Sequence, residues 1–219
     1  MDLHDLKRYV GFGEGFHIEF KRRAPQPERL AKEVIALANA RGGKLFVGVD
    51  DDGTIRGVRD AEEERFALRH ALDTHCDPPV AVEIEAVEVS RRRDVLVVDV
   101  PESAEKPHYL VNAVNGSGRP RTPYVRVADQ SIEASREAVR LMKHERAPTD
   151  VRFEFGDKER ALMRYLDRHE QITVEGFARL VDIPPRRASQ TLVLLAKANL
   201  LRLHPSERAD YFTLAYDVA

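Results

Sequence analysis

The sequence holds a single cysteine, Cys76, so neither an intramolecular disulfide framework nor a cysteine-built zinc site can form within one chain. It has no excess of charge of one sign: 35 Lys and Arg stand against 37 Asp and Glu, a formal net charge of -2. Any binding to a polyanion then has to come from local patches rather than from the whole surface. No apolar run approaches the ~20 residues needed to span a bilayer; LVLLA (192–196) is among the longest. The opening MDLHDLKRYVG lacks the apolar core of a secretory signal, so a cytoplasmic protein with no membrane partner is expected. There is no HExxH spacing for a histidine-based zinc enzyme and no GxxxxGK[ST] phosphate loop; the glycines of NARGG (39–43) precede a strand instead of opening a helix. What is present is enough apolar material for a packed core: 219 residues, 42% hydrophobic and 33% charged, room for one large domain or two small ones.

Periodicity divides the chain. HIEFK (17–21) reads as a short strand, and residues 28–39 as a helix with Leu30, Val34, Leu37 and Ala38 on one face. KLFVGVD (44–50) reads as a buried strand turned by DDG onto TIRGV (54–58), its expected hairpin partner. A helix is expected over 61–74. VAVEIEAVEV (80–89) alternates with Val82, Ile84 and Ala86 on one face, then slips phase after Ala86, and pairs with VLVVDVP (95–101) across RRRD. HYLVNAV (108–114) and YVRVA (124–128) are further strands flanking the loop NGSGRPRTP (115–123). SIEASREAVRLMKHE (131–145) reads as a closing helix capped by Ser131. The expected fold is α/β (α+β) with a mixed sheet over 1–146, a linker over 147–156 and a second domain over 157–219.

Three carboxylates stand out in the first domain. Glu14 precedes the first strand, Glu19 lies on it, and Asp50 ends the buried strand, with Asp51 as the alternative third member. Converging carboxylates suit Mg²⁺ or Mn²⁺, and a metal so held can activate water for phosphodiester cleavage; Lys21 would neutralise a phosphate beside it. The plainer reading is that these acids form the solvated face of a strand.

The assembled pattern, E-x4-EFK, then a helix, then A-N-x-x-GG-x-L-x-x-GVDDDG-x-I-x-G, resembles the Schlafen-type AlbA domain over roughly residues 5–145. YVRVADQSIEAS (124–135) is similar to that family's Y-x-R-x-G segment, with Ala128 where the family usually has Gly. The resemblance implies an α/β nucleic-acid-binding module. It also implies that, in nuclease members, two Glu and one Asp bind a divalent metal. Glu14 and Glu19 match the two Glu positions, and Asp50 is assigned the third.

Residues 157–219 resemble a winged helix-turn-helix: DKERALMRYLDRH, TVEGFARLVDI, a helix from Pro185, then LLRLHP and DYFTLAY as a wing. On that reading Arg186, Arg187 and Gln190 contact bases, Ser189 a phosphate, and Arg202 and Arg208 the backbone beside the wing. This segment holds ten Lys and Arg against nine Asp and Glu, so a dimerisation or protein-docking role competes. Three functions follow: a homodimeric DNA-binding transcriptional regulator, a metal-dependent nuclease acting on RNA or single-stranded DNA, and a nucleotide sensor built on NARGG.

Overall fold

The structure is a computed structural model and describes residues 1–111, 121–148 and 154–215. The chain divides into two compact units, Met1–Glu133 and Ala134–Ala219. Most of the loop NGSGRPRTP, the end of HYLVNAV and the centre of the expected linker lie outside the described residues. No helix among the described residues is long and apolar enough to cross a membrane.

The first unit opens with α1 (Leu3–Gly11), capped by Asp2, whose Oδ1 accepts the Asp5 N–H at 2.8 Å. After it come β1 (Ile18–Lys21), α2 (Pro27–Asn39) and β2 (Gly43–Val47). Pro27 suits the first helical turn of α2, where its missing N–H costs nothing. Next are α3 (Ala61–His75), β3 (Cys76–Asp77), β4 (Glu83–Ser90) and β5 (Arg93–Val100). The unit ends with β6 (Tyr109–Val111), β7 (Arg121–Val127) and β8 (Gln130–Glu133).

One sheet has the order β1-β2-β5-β4, with β1 and β2 parallel and the remaining pairs antiparallel; a second, antiparallel sheet runs β3-β6-β7-β8. The expected mixed sheet is therefore present, but TIRGV is not the partner of β2. Gly48 takes φ +112 and ends β2 at Val47, which leaves only single bridges at Val49–Ile55 and Val58–Asp94. The neighbours of β2 are β1 and β5.

Both faces of the first sheet are covered. Leu45 and Val47 of β2 and Leu96, Val98 and Val100 of β5 pack with α2 and α3 residues such as Val34, Leu37 and Leu68. Phe20, Phe46, Val95 and Val97 pack on the other face with Leu6 and Val10 of α1. This explains the phase slip in β4. Ile84 sits against the first core, whereas Val87 and Val89 sit against the second, so one strand serves two layers; Ala86 is exposed. The register shifts between Glu88 and Ser90.

The closing helix starts later than its sequence predicts. Residues 130–133 form β8, and α4 (Arg136–Arg146) begins after Ser135, whose Oγ accepts the Ala138 N–H at 3.1 Å. Ser135 is the cap, and Ser131 is buried in the first unit. Sheet pairing to β7 overrides helical periodicity here. The division between units falls ahead of α4, not at 147–156, because α4 packs on α7 of the second unit.

That unit continues with α5 (Asp157–Leu166), β9 (Ile172–Thr173), α6 (Val174–Leu180), α7 (Pro185–Lys197), β10 (Leu201–His204) and β11 (Tyr211–Leu214). Its sheet is antiparallel in the order β10-β11-β9. The core joins Leu162, Leu166, Phe177, Leu192, Leu195 and Phe212. Thr173 caps α6 by accepting the Gly176 N–H at 3.1 Å.

Candidate functional site

The segment between α1 and β1 brings Glu14 back onto its own strand. Gly13 supplies a positive φ (+76), and the Glu14 carboxylate accepts the Phe20 N–H at 2.8 Å. Partial burial pushes the Glu14 carboxyl above its ordinary value; the Phe20 bond and Lys21 oppose this, and the charges of Glu19 and Asp51 add to it. The aspartate of the GVDDDG turn that acts on Glu14 is thus Asp51.

Glu19 points to the opposite face from Phe20, toward α2, and is 5% exposed. Its Oε2 lies 2.6 Å from Arg126 Nη2 on β7, and its Oε1 is paired with Lys21 Nζ. Arg126 has no exposed side-chain surface. It donates from Nη2 to Gly15 O at 2.9 Å and to Ile18 O at 3.2 Å, and from Nη1 to Glu33 Oε2 on α2 at 3.3 Å. Ser131 Oγ on β8 donates to the same Glu33 oxygen. Every charge in this network has an opposite partner, as burial requires. Lys21 also donates to Phe20 O at 2.8 Å, so its ammonium is held within the network.

Asp50 stands elsewhere. Its Oδ2 accepts Arg56 Nε at 2.9 Å, and Arg22 Nε lies 3.6 Å from Oδ1, an oxygen that is buried and accepts no hydrogen bond among the described residues. The expected Glu14–Glu19–Asp50 metal trio is therefore not assembled. Both oxygens of Glu19 are taken by cations, Asp50 is flanked by two guanidiniums that would repel a third cation, and no group of three acidic, histidine or cysteine side chains among the described residues is placed to hold a metal. As arranged, these donors do not fit Mg²⁺ or Mn²⁺.

In the second unit, α6 and α7 are joined by a turn in which Asp182 takes φ +52 and Ile183 N–H returns to Ala178 O at 3.0 Å. Arg186, Arg187 and Gln190 are exposed and share one face of α7, at spacings of three and four. The other side of α7 is buried through Ala188, Leu192 and Leu195. None of Arg186, Arg187, Arg202 and Arg208 has an acidic partner among the described residues. Arg202 is exposed on β10, and Arg208 is exposed in the β10–β11 connection. Ser189 departs from expectation. It is 7% exposed, receives Arg140 Nη1 at 2.9 Å and donates to Glu137, both on α4, so it cannot reach a phosphate.

Residues 14–135 match the Schlafen AlbA_2 family, more than half of the chain. The chain belongs to the Schlafen AlbA_2 family. Among solved structures it is similar to the N-terminal domain of a RecG-related protein from Nitrosomonas europaea, at 27% identity and a TM-score of 0.43, over 53% of this chain and 85% of that one. It is also similar to a Corynebacterium diphtheriae protein at 23% identity and a TM-score of 0.42, over 62% of this chain and 25% of that one.

Two features of this AlbA_2 member escape sequence reasoning. Arg126 sits inside YVRVADQSIEAS, yet nothing in that string says that its partner is Glu19 on another sheet. Ala128 takes φ +52 in the two-residue turn that joins Val127 to its partner Gln130. Glycine adopts that conformation without steric cost, which accounts for the Gly of the resembling motif. The departure noted in the sequence is thus a residue in the left-handed region.

Proposed function

We propose that this AlbA_2 protein is a nucleic-acid-binding protein, a DNA-binding regulator of transcription whose second unit acts as a winged helix-turn-helix with α7 as the recognition helix. The observation that carries this reading is the first turns of α7. Two arginines and a glutamine share one exposed face and have no acidic partners among the described residues, while the rest of the helix is committed to the core. A helix of 13 residues extends about 20 Å, enough to lie along a major groove. Arginine forks match guanine edges, glutamine matches adenine, and Arg202 and Arg208 are suited to the flanking phosphates. A homodimer would present two such helices to a two-fold site.

Band shifts against pooled duplex sequences test this. Arg186→Ala/Arg187→Ala should lose selected sites, each bidentate contact being worth about 1–3 kcal/mol of discrimination. Unchanged affinity and unchanged sequence preference would sink the assignment. A metal-dependent nuclease acting on RNA or single-stranded DNA is the weaker reading, since Arg126 and Lys21 would both have to release Glu19 before a metal could use it.

A further inference from the structure

A cleft of about 870 Å³ lies in the first unit and is lined by five arginines: Arg22, Arg23, Arg56, Arg59 and Arg93. They come from three separate stretches, the end of β1, the 54–59 segment and the start of β5, so no sequence window contains the cluster. Close backbone approach assembles it. Gly57 takes φ +65, and a Cβ there would stand 2.9 Å from both Arg93 Cβ and Val89 Cγ2. Gly57 N–H and Arg56 N–H both return to Gly48 O at 2.9 Å. This lays Arg56 and Arg59 beside Arg93, whose Nη1 donates to Gly57 O at 3.1 Å. Asp50 Oδ2 accepts Arg56 Nε at 2.9 Å, Arg22 Nε lies 3.6 Å from Asp50 Oδ1, and both arginine side chains are exposed. Arg23 and Arg59 are exposed and have no acidic partner among the described residues.

Five arginines outnumber the three acids of the lining, Asp60, Glu63 and Glu64, so the cleft keeps a net positive charge. Asp60 Oδ1 is used to cap α3 through the Glu63 N–H at 2.9 Å, and Glu64 Oε2 accepts the Ala24 N–H at 2.9 Å. Glu63 is the remaining acid. Among the described residues no aromatic side chain lines the cleft, so they offer bases no aromatic stacking platform there. These arginines stand on no exposed helix face that could enter a groove, and guanidinium forks so placed suit phosphate oxygens, contacts that carry no sequence information.

We infer that this cleft grips the phosphodiester backbone of a nucleic acid independently of sequence. The inference rests on the nucleic-acid reading above and adds a second contact surface to it.

The test uses the full chain and the double variant Arg23→Ala/Arg59→Ala, with Arg186→Ala/Arg187→Ala alongside. Two probes are titrated over a range of KCl: a mixed-sequence DNA duplex and inorganic polyphosphate, which has phosphates but no bases. The cleft variant should bind both probes more weakly. For the duplex its slope of log K against log salt should be shallower by about 1.8, two phosphate contacts at ~0.9 each. Duplex binding that is unchanged in the cleft variant but lost in the α7 variant overturns the cleft and leaves the nucleic-acid reading standing. Polyphosphate binding that depends on the cleft, in a protein that binds no duplex, overturns the nucleic-acid occupant instead. Circular dichroism of both variants matching wild type excludes misfolding as the cause.

Discussion

Arg126 is the residue on which the first unit turns. Its guanidinium is wholly buried and serves Glu19, Glu33 and two backbone carbonyls at once. Truncation would strand Glu19 with Lys21 alone and leave the Gly15 and Ile18 carbonyls only their reciprocal backbone bonds, Gly15 N–H to Ile18 O at 3.0 Å and Ile18 N–H to Gly15 O at 3.4 Å. Arg126→Ala should therefore cost about 3 kcal/mol or more, read as a lowered urea midpoint. Pairing it with Glu19→Gln should recover part of the loss, because the uncompensated charge goes with it; a loss below about 1 kcal/mol would show the network to be dispensable. Glu14 makes a pH prediction. Its folded carboxyl is raised above its unfolded value, chiefly by burial, so the folded state holds that proton more tightly. Stability contributed at this site is therefore lost as pH rises from the unfolded value through the folded one. Glu14→Gln keeps an acceptor for the Phe20 N–H but no longer titrates. Its melting temperature should gain on wild type as the pH rises above the ordinary glutamate value. A constant difference would contradict the raised value. Burial acts in the same direction on Cys76, whose thiol is pushed up to about 12, which suits a packing residue rather than a nucleophile.

At the scale of elements, the turn at Ala128 offers a direct experiment. A left-handed residue with a Cβ costs roughly 1–2 kcal/mol, and glycine removes that strain while adding chain entropy in the unfolded state. Ala128→Gly should stabilise the protein by about 1 kcal/mol, seen as a higher denaturation midpoint; a destabilised variant would show that the turn is not strained. The same element shows what the sequence could and could not tell. The helix over 28–39 and the 83–90/93–100 hairpin were legible because each carries a clear local period. The β8 strand was not. Its residues continue the helical spacing of α4, and only pairing with β7 distinguishes them. The site was half legible. Glu14, Glu19 and Lys21 do gather around β1, but spacing could not reveal which cation each carboxylate meets. Asp50 looked like a ligand because it ends a buried strand, yet Arg22 and Arg56 are brought to it by loops whose path depends on Gly48 and Gly57.

For the molecule as a whole, a net charge of -2 means that any binding to a polyanion has to rest on local clusters of arginine. On the proposed reading, the cleft and α7 would each gain from the other's effective concentration, and a second copy would extend that gain. Light scattering at micromolar protein should give twice 24.9 kDa; a monomer mass would remove the two-fold site from the proposal. The Arg126 contact also has a temporal side. Arg126 closes on the Gly15 carbonyl, 111 positions earlier in the chain. At ~5–20 residues per second, a ribosome delivers that arginine about 5–20 s after Gly15 has been joined. Throughout that interval Glu19 has Lys21 beside it but not its principal partner, so the nascent first unit cannot settle until the strand bearing Arg126 has left the exit tunnel. A pause in translation before that point would prolong its exposure to chaperones and proteases, and a pause after it would not.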